Sequence, residues 1–338
     1  MKATFIHGPG DIRVTEVDKP TVTDPTDAVI KIVATCVCGS DLWSYRGTDE
    51  VEEPSRMGHE YVGVVEEIGA EVTTVTPGDF VVGSFCLSDN TCDICAGGYP
   101  SRCLNGGFVS EAQAEYLRVP LADGTLVATP SYPDKDLIAS LLAASDVLGT
   151  GWFAADAAQV GPGKTVVVVG DGAVGLLAIL SAKQMGAERI IAMSRHADRQ
   201  ALAREFGATD IVAERGEAGV ARIKELTNGL GAHSVIEAVG TQDSMQQAIA
   251  SCRPGGHVGY VGVAHGVSLP GEELFFSQVH LMGGPAPVRT YLPELIRLIF
   301  ERAIEPGKVF TKQVSLENIA EGYRAMDRRE AIKVLVRP

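Results

Sequence analysis

Thr165-Val166-Val167-Val168-Val169 runs directly into Gly170-Asp171-Gly172-Ala173-Val174-Gly175, and no other stretch restricts the fold so tightly. Consecutive β-branched residues without polar alternation describe a strand buried on both faces, the signature of a parallel sheet covered by helices. The apolar stretch from Ala173 to Met185, closed by Gly186, reads as the helix that follows. A G-x-G-x-x-G placed between such a strand and such a helix predicts a dinucleotide site. Gly170, Gly172 and Gly175 permit the tight turn and the close backbone approach. The unpaired N–H groups at Ala173 and Val174 would meet the pyrophosphate.

The same alternation continues. Strands are expected at Arg189–Met193, Asp210–Val212, Ser234–Glu237 and His257–Val261, with a helix at Asp198–Phe206. Residues 150–288 therefore read as a Rossmann-type, doubly wound parallel sheet. Residues 1–149 follow another pattern: short strands such as Ala28–Val33, Tyr61–Glu66 and Asp79–Gly83, separated by Gly, Pro and Asp. After residue 288 a helix, Leu292–Arg302, and a terminal strand, Ala331–Val336, are expected. With 338 residues, about two domains fit.

A net charge of −14 argues against nucleic acid and anionic membrane as partners. The longest apolar run, Thr165–Leu180, is broken by glycines and Asp171, so no membrane span is expected. The first residues read as a strand, and a cytoplasmic location follows as the expectation. Six of the seven cysteines lie in the first third, which points to metal or catalysis before disulfides. Cys36 and Cys252 read as small buried residues, and Phe275-Phe276 as core, with a subunit interface the alternative.

Cofactor choice is read about 20 residues beyond the glycine motif, at the tip of the second strand. An acid there would bond a ribose 2′-OH and favour NAD. Ser194-Arg195-His196 stands there instead, with Arg199 one helical turn on. A hydroxyl and guanidinium groups suit a 2′-phosphate, so NADP(H) is the expectation.

Cys38-Gly39-Ser40-Asp41 follows a strand, Gly58-His59-Glu60 opens another, and Ala144-Ser145-Asp146-Val147 precedes the nucleotide region. Together with the glycine motif and the cysteine-rich stretch, they make the whole chain resemble a zinc-dependent medium-chain dehydrogenase/reductase of the alcohol dehydrogenase type. The resemblance implies a β-rich, GroES-like catalytic domain, residues 1–149 and 289–338, around the nucleotide domain. It implies a catalytic zinc on Cys38, His59 and a third ligand that is Cys in some members and Asp in others. Here the third ligand is Asp146, with Glu60 a displaceable fourth or a supporting group. It also implies that Ser40 exchanges the substrate proton, that Trp43 narrows the substrate pocket, and that backbone groups of Val261, Gly262 and Val263 hold the nicotinamide amide. Many members carry a His a few residues after the relay hydroxyl; Leu42-Trp43-Ser44-Tyr45 offers none.

Cys92, Cys95 and Cys103 match the family's structural-zinc lobe except that its first Cys is Asp89 here. Asp89 is expected as the fourth ligand, with Cys86 the alternative. The implied activity interconverts an alcohol and an aldehyde or ketone, in a homodimer or homotetramer. An NAD-dependent polyol or amino-alcohol dehydrogenase on the same scaffold is the competing expectation.

Overall fold

The computed structural model describes residues 1–338 as two compact units, Met1–Gly149 with Pro287–Pro338, and Thr150–Ala286. In the second unit six strands form one parallel sheet. Their spatial order is Asp210–Val212, Arg189–Met193, Thr165–Val169, Ala232–Glu237, Cys252–Tyr260, His280–Gly283. In order of sequence this is 3-2-1-4-5-6, the doubly wound arrangement whose strand order reverses beside the first strand. Val166–Val169 are fully buried there, as an unalternating valine run requires. Helices Ala173–Gln184, Ala197–Phe206, Gly216–Leu226 and Gln242–Ser251 connect the strands. The edge strand His280–Gly283 has four residues, too few for a sequence pattern to reveal. Phe275 and Phe276 correct the expectation of core packing: they sit on a short helix and are 75% and 72% exposed.

In the first unit a seven-stranded sheet carries the chemistry-bearing segments. Ala28–Val37 pairs with Tyr61–Ile68 on one side and with the terminal strand Lys333–Arg337 on the other. The pairing Val334↔Val37 sets Lys333 beside the end of the strand that delivers Cys38. Helices Ile138–Ala144 and Val147–Ala157 close the strand-rich stretch, the first of them inside it. Asp146 lies at the break between them. No single helix is long and apolar enough to cross a membrane.

Candidate active site

Three separate chain segments converge on one point of the first unit. Cys38 leaves the strand Ala28–Val37, His59 precedes Tyr61–Ile68, and Asp146 occupies the helix break. With Glu60 they form a cluster whose ligand atoms all lie within 4.8 Å of one another. His59 Nε2 is 3.2 Å from Asp146 Oδ2, and Cys38 Sγ is 3.8 Å from the same oxygen. Gly58, at φ +93°, is required next to His59: an added Cβ would lie 2.4 Å from Gln113 Cγ and 2.8 Å from its backbone N.

Burial pushes the Cys38 thiol up. Burial works against a positive His59, but Cys38 and Asp146 outweigh it and hold the imidazole well above its ordinary value. A divalent cation inverts both directions, since a coordinated thiol is deprotonated outright and a ligating imidazole is neutral. A thiolate, an imidazole and carboxylates at this spacing fit Zn²⁺ with a place left for substrate.

Behind these groups stands a buried polar chain. Asp41 Oδ2 accepts hydrogen bonds from the Cys38 backbone N–H at 2.9 Å and from Gln113 Nε2 at 3.1 Å, while Asp41 Oδ1 lies 3.6 Å from His59 Nδ1. Tyr323 donates its hydroxyl hydrogen to Gln113 Oε1 at 3.0 Å. Asp41 therefore anchors the loop and backs the imidazole. Lys333 Nζ donates to Glu60 Oε1 at 2.6 Å, whereas Glu60 Oε2 is buried and has no partner. Burial opposes the charge of Lys333, yet nearby Cys36 and Glu60 hold its pKa well above the ordinary lysine value. Ser40 is half-buried and precedes the short helix Asp41–Tyr45, which carries the half-buried Trp43. Cys36 and Cys252 are buried.

A second cluster, Asp89, Cys92, Cys95 and Cys103, also keeps its ligand atoms within 4.8 Å. Cys92 Sγ lies 3.4 Å from Cys95 Sγ and 3.9 Å from Cys103 Sγ. Asp89 accepts from the backbone N–H groups of Thr91 and Cys92 and from Asn105 Nδ2. The Cys92 and Thr91 amides hold its carboxyl well below the usual range. A carboxylate fixed among three thiols is a donor set that zinc accepts in a closed site. Cys86 is outside this cluster, buried in the strand Cys86–Leu87, where burial pushes its thiol up.

In the second unit Gly170 has φ +123°. A Cβ on Gly175 would lie 2.1 Å from the Gly170 carbonyl oxygen, so helix and turn approach as only glycine allows. A Cβ on Gly172 would meet nothing within 4 Å, which leaves the start of Ala173–Gln184, with Ala173 and Val174, open to a pyrophosphate. Ser194 is buried and Arg195 exposed at the tip of the second strand. Arg199 is buried. Both Ser194 and Arg199 contact Asp171: Ser194 Oγ donates to Oδ2 at 2.8 Å, and Arg199 Nη1 lies 3.3 Å from Oδ1 and 3.1 Å from the Asp171 carbonyl oxygen. Val261 and Gly262 donate backbone N–H groups to the Glu237 carbonyl, and Val263 is exposed beyond them. The Glu237 carboxylate in turn accepts from the Val239 and Gly240 amides and from Ser244 Oγ.

Sequence reading missed Lys333, Asp171, Gln113 and Glu237. Lys333 left one signal, a lone cation in the apolar run Ile332-Lys333-Val334-Leu335-Val336, and Asp171 another, an acid between two motif glycines. Gln113 and Glu237 left none.

Comparison with known proteins agrees with this geometry. The family described as "Alcohol dehydrogenase GroES-like domain" matches residues 24–131, and "Zinc-binding dehydrogenase" matches residues 173–301. A probable zinc-binding alcohol dehydrogenase of Mycobacterium tuberculosis is 36% identical, over 100% of this chain and 89% of its own length. An NADP-dependent isopropanol dehydrogenase of Thermoanaerobacter brockii is 31% identical over 100% and 99%, and a sorbitol dehydrogenase of Bacillus subtilis 29% over 100% and 97%. An alcohol dehydrogenase structure from Thermus sp. ATN1 superposes with a TM-score of 0.91 at 33% identity, covering 100% of this chain and 99% of that one.

Proposed function

The chain belongs to the zinc-dependent medium-chain alcohol dehydrogenases, and from that premise we propose that it interconverts an alcohol and an aldehyde or ketone with NADP(H). The observation that carries the catalytic half is the convergence of Cys38, His59 and Asp146, with Glu60 beside them, from three segments of the fold. Cys38, His59 and Asp146 would hold the catalytic zinc, and Asp89, Cys92, Cys95 and Cys103 a second, structural one. Bound zinc supplies Lewis-acid stabilisation of negative charge on the substrate oxygen, and the nicotinamide supplies or takes the hydride.

The protein's own groups do the rest. Asp41 fixes the orientation of His59 and, through the Cys38 amide, the position of the thiolate. Lys333 holds Glu60 Oε1, the oxygen that also lies 4.0 Å from His59 Nε2, and so balances the carboxylate charge beside the proposed ligands. Ser40 carries the alcohol proton in oxidation and returns it in reduction. Trp43 narrows the substrate pocket. The glycine turn binds the pyrophosphate, and the backbone of residues 261–263 the nicotinamide amide.

NADP(H) is supported by the absence of a carboxylate in Ser194-Arg195-His196 and by the exposed guanidinium of Arg195. One observation favours a second reading, NAD(H): Asp171 brings a carboxylate to Ser194 from the glycine turn instead. The seven cysteines, none of them in a disulfide, suit a cytoplasmic enzyme, and the exposed Phe275 and Phe276 suit a homodimer or homotetramer.

A panel of alcohols and carbonyl compounds, followed at 340 nm with each cofactor, tests the reading. Turnover that follows zinc content and collapses in Cys38→Ala is expected. Metal-free protein that turns over as fast as metal-replete protein overturns the catalytic half, and a far lower KM for NADH than for NADPH overturns the cofactor half.

A further inference from the structure

We propose that Asp171 is the residue that sets the choice between the 2′-hydroxyl and the 2′-phosphate cofactor, by occupying the groups a 2′-phosphate would use. The inference rests on the reading of Gly170–Gly175 as a dinucleotide turn, and it concerns the adenosine end of that site.

Two of the three residues suited to a 2′-phosphate, Ser194 and Arg199, are engaged by this one carboxylate. A serine hydroxyl has a single hydrogen, and that of Ser194 goes to Asp171 Oδ2 at 2.8 Å. It cannot also go to a phosphate, which at neutral pH has acceptors to offer and almost no donors. Arg199 places Nη1 between the Asp171 carboxylate, at 3.3 Å, and the Asp171 carbonyl, at 3.1 Å. The pair is largely withdrawn from water, with side chains 10% and 13% exposed. Partial burial strengthens the attraction inside the pair and the repulsion of a further anion. A phosphate monoester brings about −1.5 to −2 charges at pH 7. It must displace Asp171 or lie beside it, and only the exposed Arg195 meets it unengaged by this carboxylate.

A ribose 2′-OH meets the opposite situation. It is a donor, and Asp171 and the Ser194 oxygen both present acceptors. The carboxylate that other dinucleotide folds place at the strand tip is thereby delivered from the glycine turn. Asp171 thus penalises the phosphate and rewards the hydroxyl, and its removal moves the two affinities in opposite directions, up for the phosphate and down for the hydroxyl.

The test uses the full-length protein and four probes: NADPH and NADH by fluorescence titration, and adenosine 2′,5′-bisphosphate and ADP by calorimetry. Asp171→Asn keeps the shape and can still accept from Ser194, but it loses the charge. Asp171→Ser is the second variant, read the same way if the amide disturbs the turn. The expected result is at least a tenfold rise in the ratio Kd(NADH)/Kd(NADPH), matched by the two adenosine nucleotides. An unchanged ratio, or equal losses for all four probes, overturns the proposal, because a residue that merely clamps the turn weakens every nucleotide alike. Wild-type protein that prefers NADH defeats the NADP(H) reading and leaves this inference standing on the shift between variant and wild type.

Discussion

Lys333 Nζ sits 2.6 Å from Glu60 Oε1, and both side chains are 1% exposed. The lysine comes from the terminal strand and the glutamate from the residue after His59, 273 positions apart in sequence. Lys333 also reaches the Val37 carbonyl at 3.3 Å, one residue before Cys38. The C-terminal segment thus reaches the Cys38, His59, Glu60 and Asp146 cluster as a charge. Lys333→Met leaves a buried carboxylate without its counter-ion, and removal of one partner of such a pair costs about 3–5 kcal/mol. Thermal unfolding should show that loss, and the double variant Lys333→Met/Glu60→Gln should recover part of it. A double variant that is no more stable than Lys333→Met alone refutes the coupling.

Asp41 accepts from the Cys38 amide and lies 3.6 Å from His59, so it supports two of the proposed zinc ligands. Asp41→Asn should weaken zinc binding by about 10–100-fold, the usual effect of removing a group that orients a metal-ligating histidine. Competition with a chromophoric chelator measures this directly. Zinc affinity equal to wild type means that the 3.6 Å approach of Asp41 to His59 has no role in holding the imidazole.

The cysteine-rich lobe should be separable from the chemistry. Asp89→Ala is expected to lower metal content by one ion per chain and Tm by roughly 5 °C or more, with kcat close to wild type. Asp89→Cys should keep the ion. Plasma mass spectrometry with calorimetry decides; an Asp89→Ala protein with full metal content removes Asp89 from the ligand set.

Acid sensitivity has an identifiable contributor in the second unit. Arg189 binds both oxygens of Asp210 at 2.8 Å, and that guanidinium brings the carboxyl down to about 2. An unfolded aspartate titrates near about 3.9. Between these values the unfolded state binds more protons, so stability rises with pH there. The contribution is fully present above the unfolded value and is lost as pH falls toward 2. Asp210→Asn should therefore flatten the fall of Tm between pH 4.5 and about 2.5. A variant that loses Tm as steeply as wild type assigns that acid sensitivity elsewhere.

What the sequence determined alone is whatever depends on neighbours in the chain. Thr165–Val169 followed by the glycine turn announces a buried strand and a helix start, because burial, turn geometry and orphan N–H groups are local matters. Cys38, His59 and Asp146 were legible as stations of a familiar arrangement. What only tertiary structure decided is which charges meet. Asp171 meets Ser194 and Arg199 only because the second strand lies beside the first. Lys333 meets Glu60 only because its strand pairs with Ala28–Val37. Charge interactions act through space and have no period along a chain, so the folded sheet order alone fixes them.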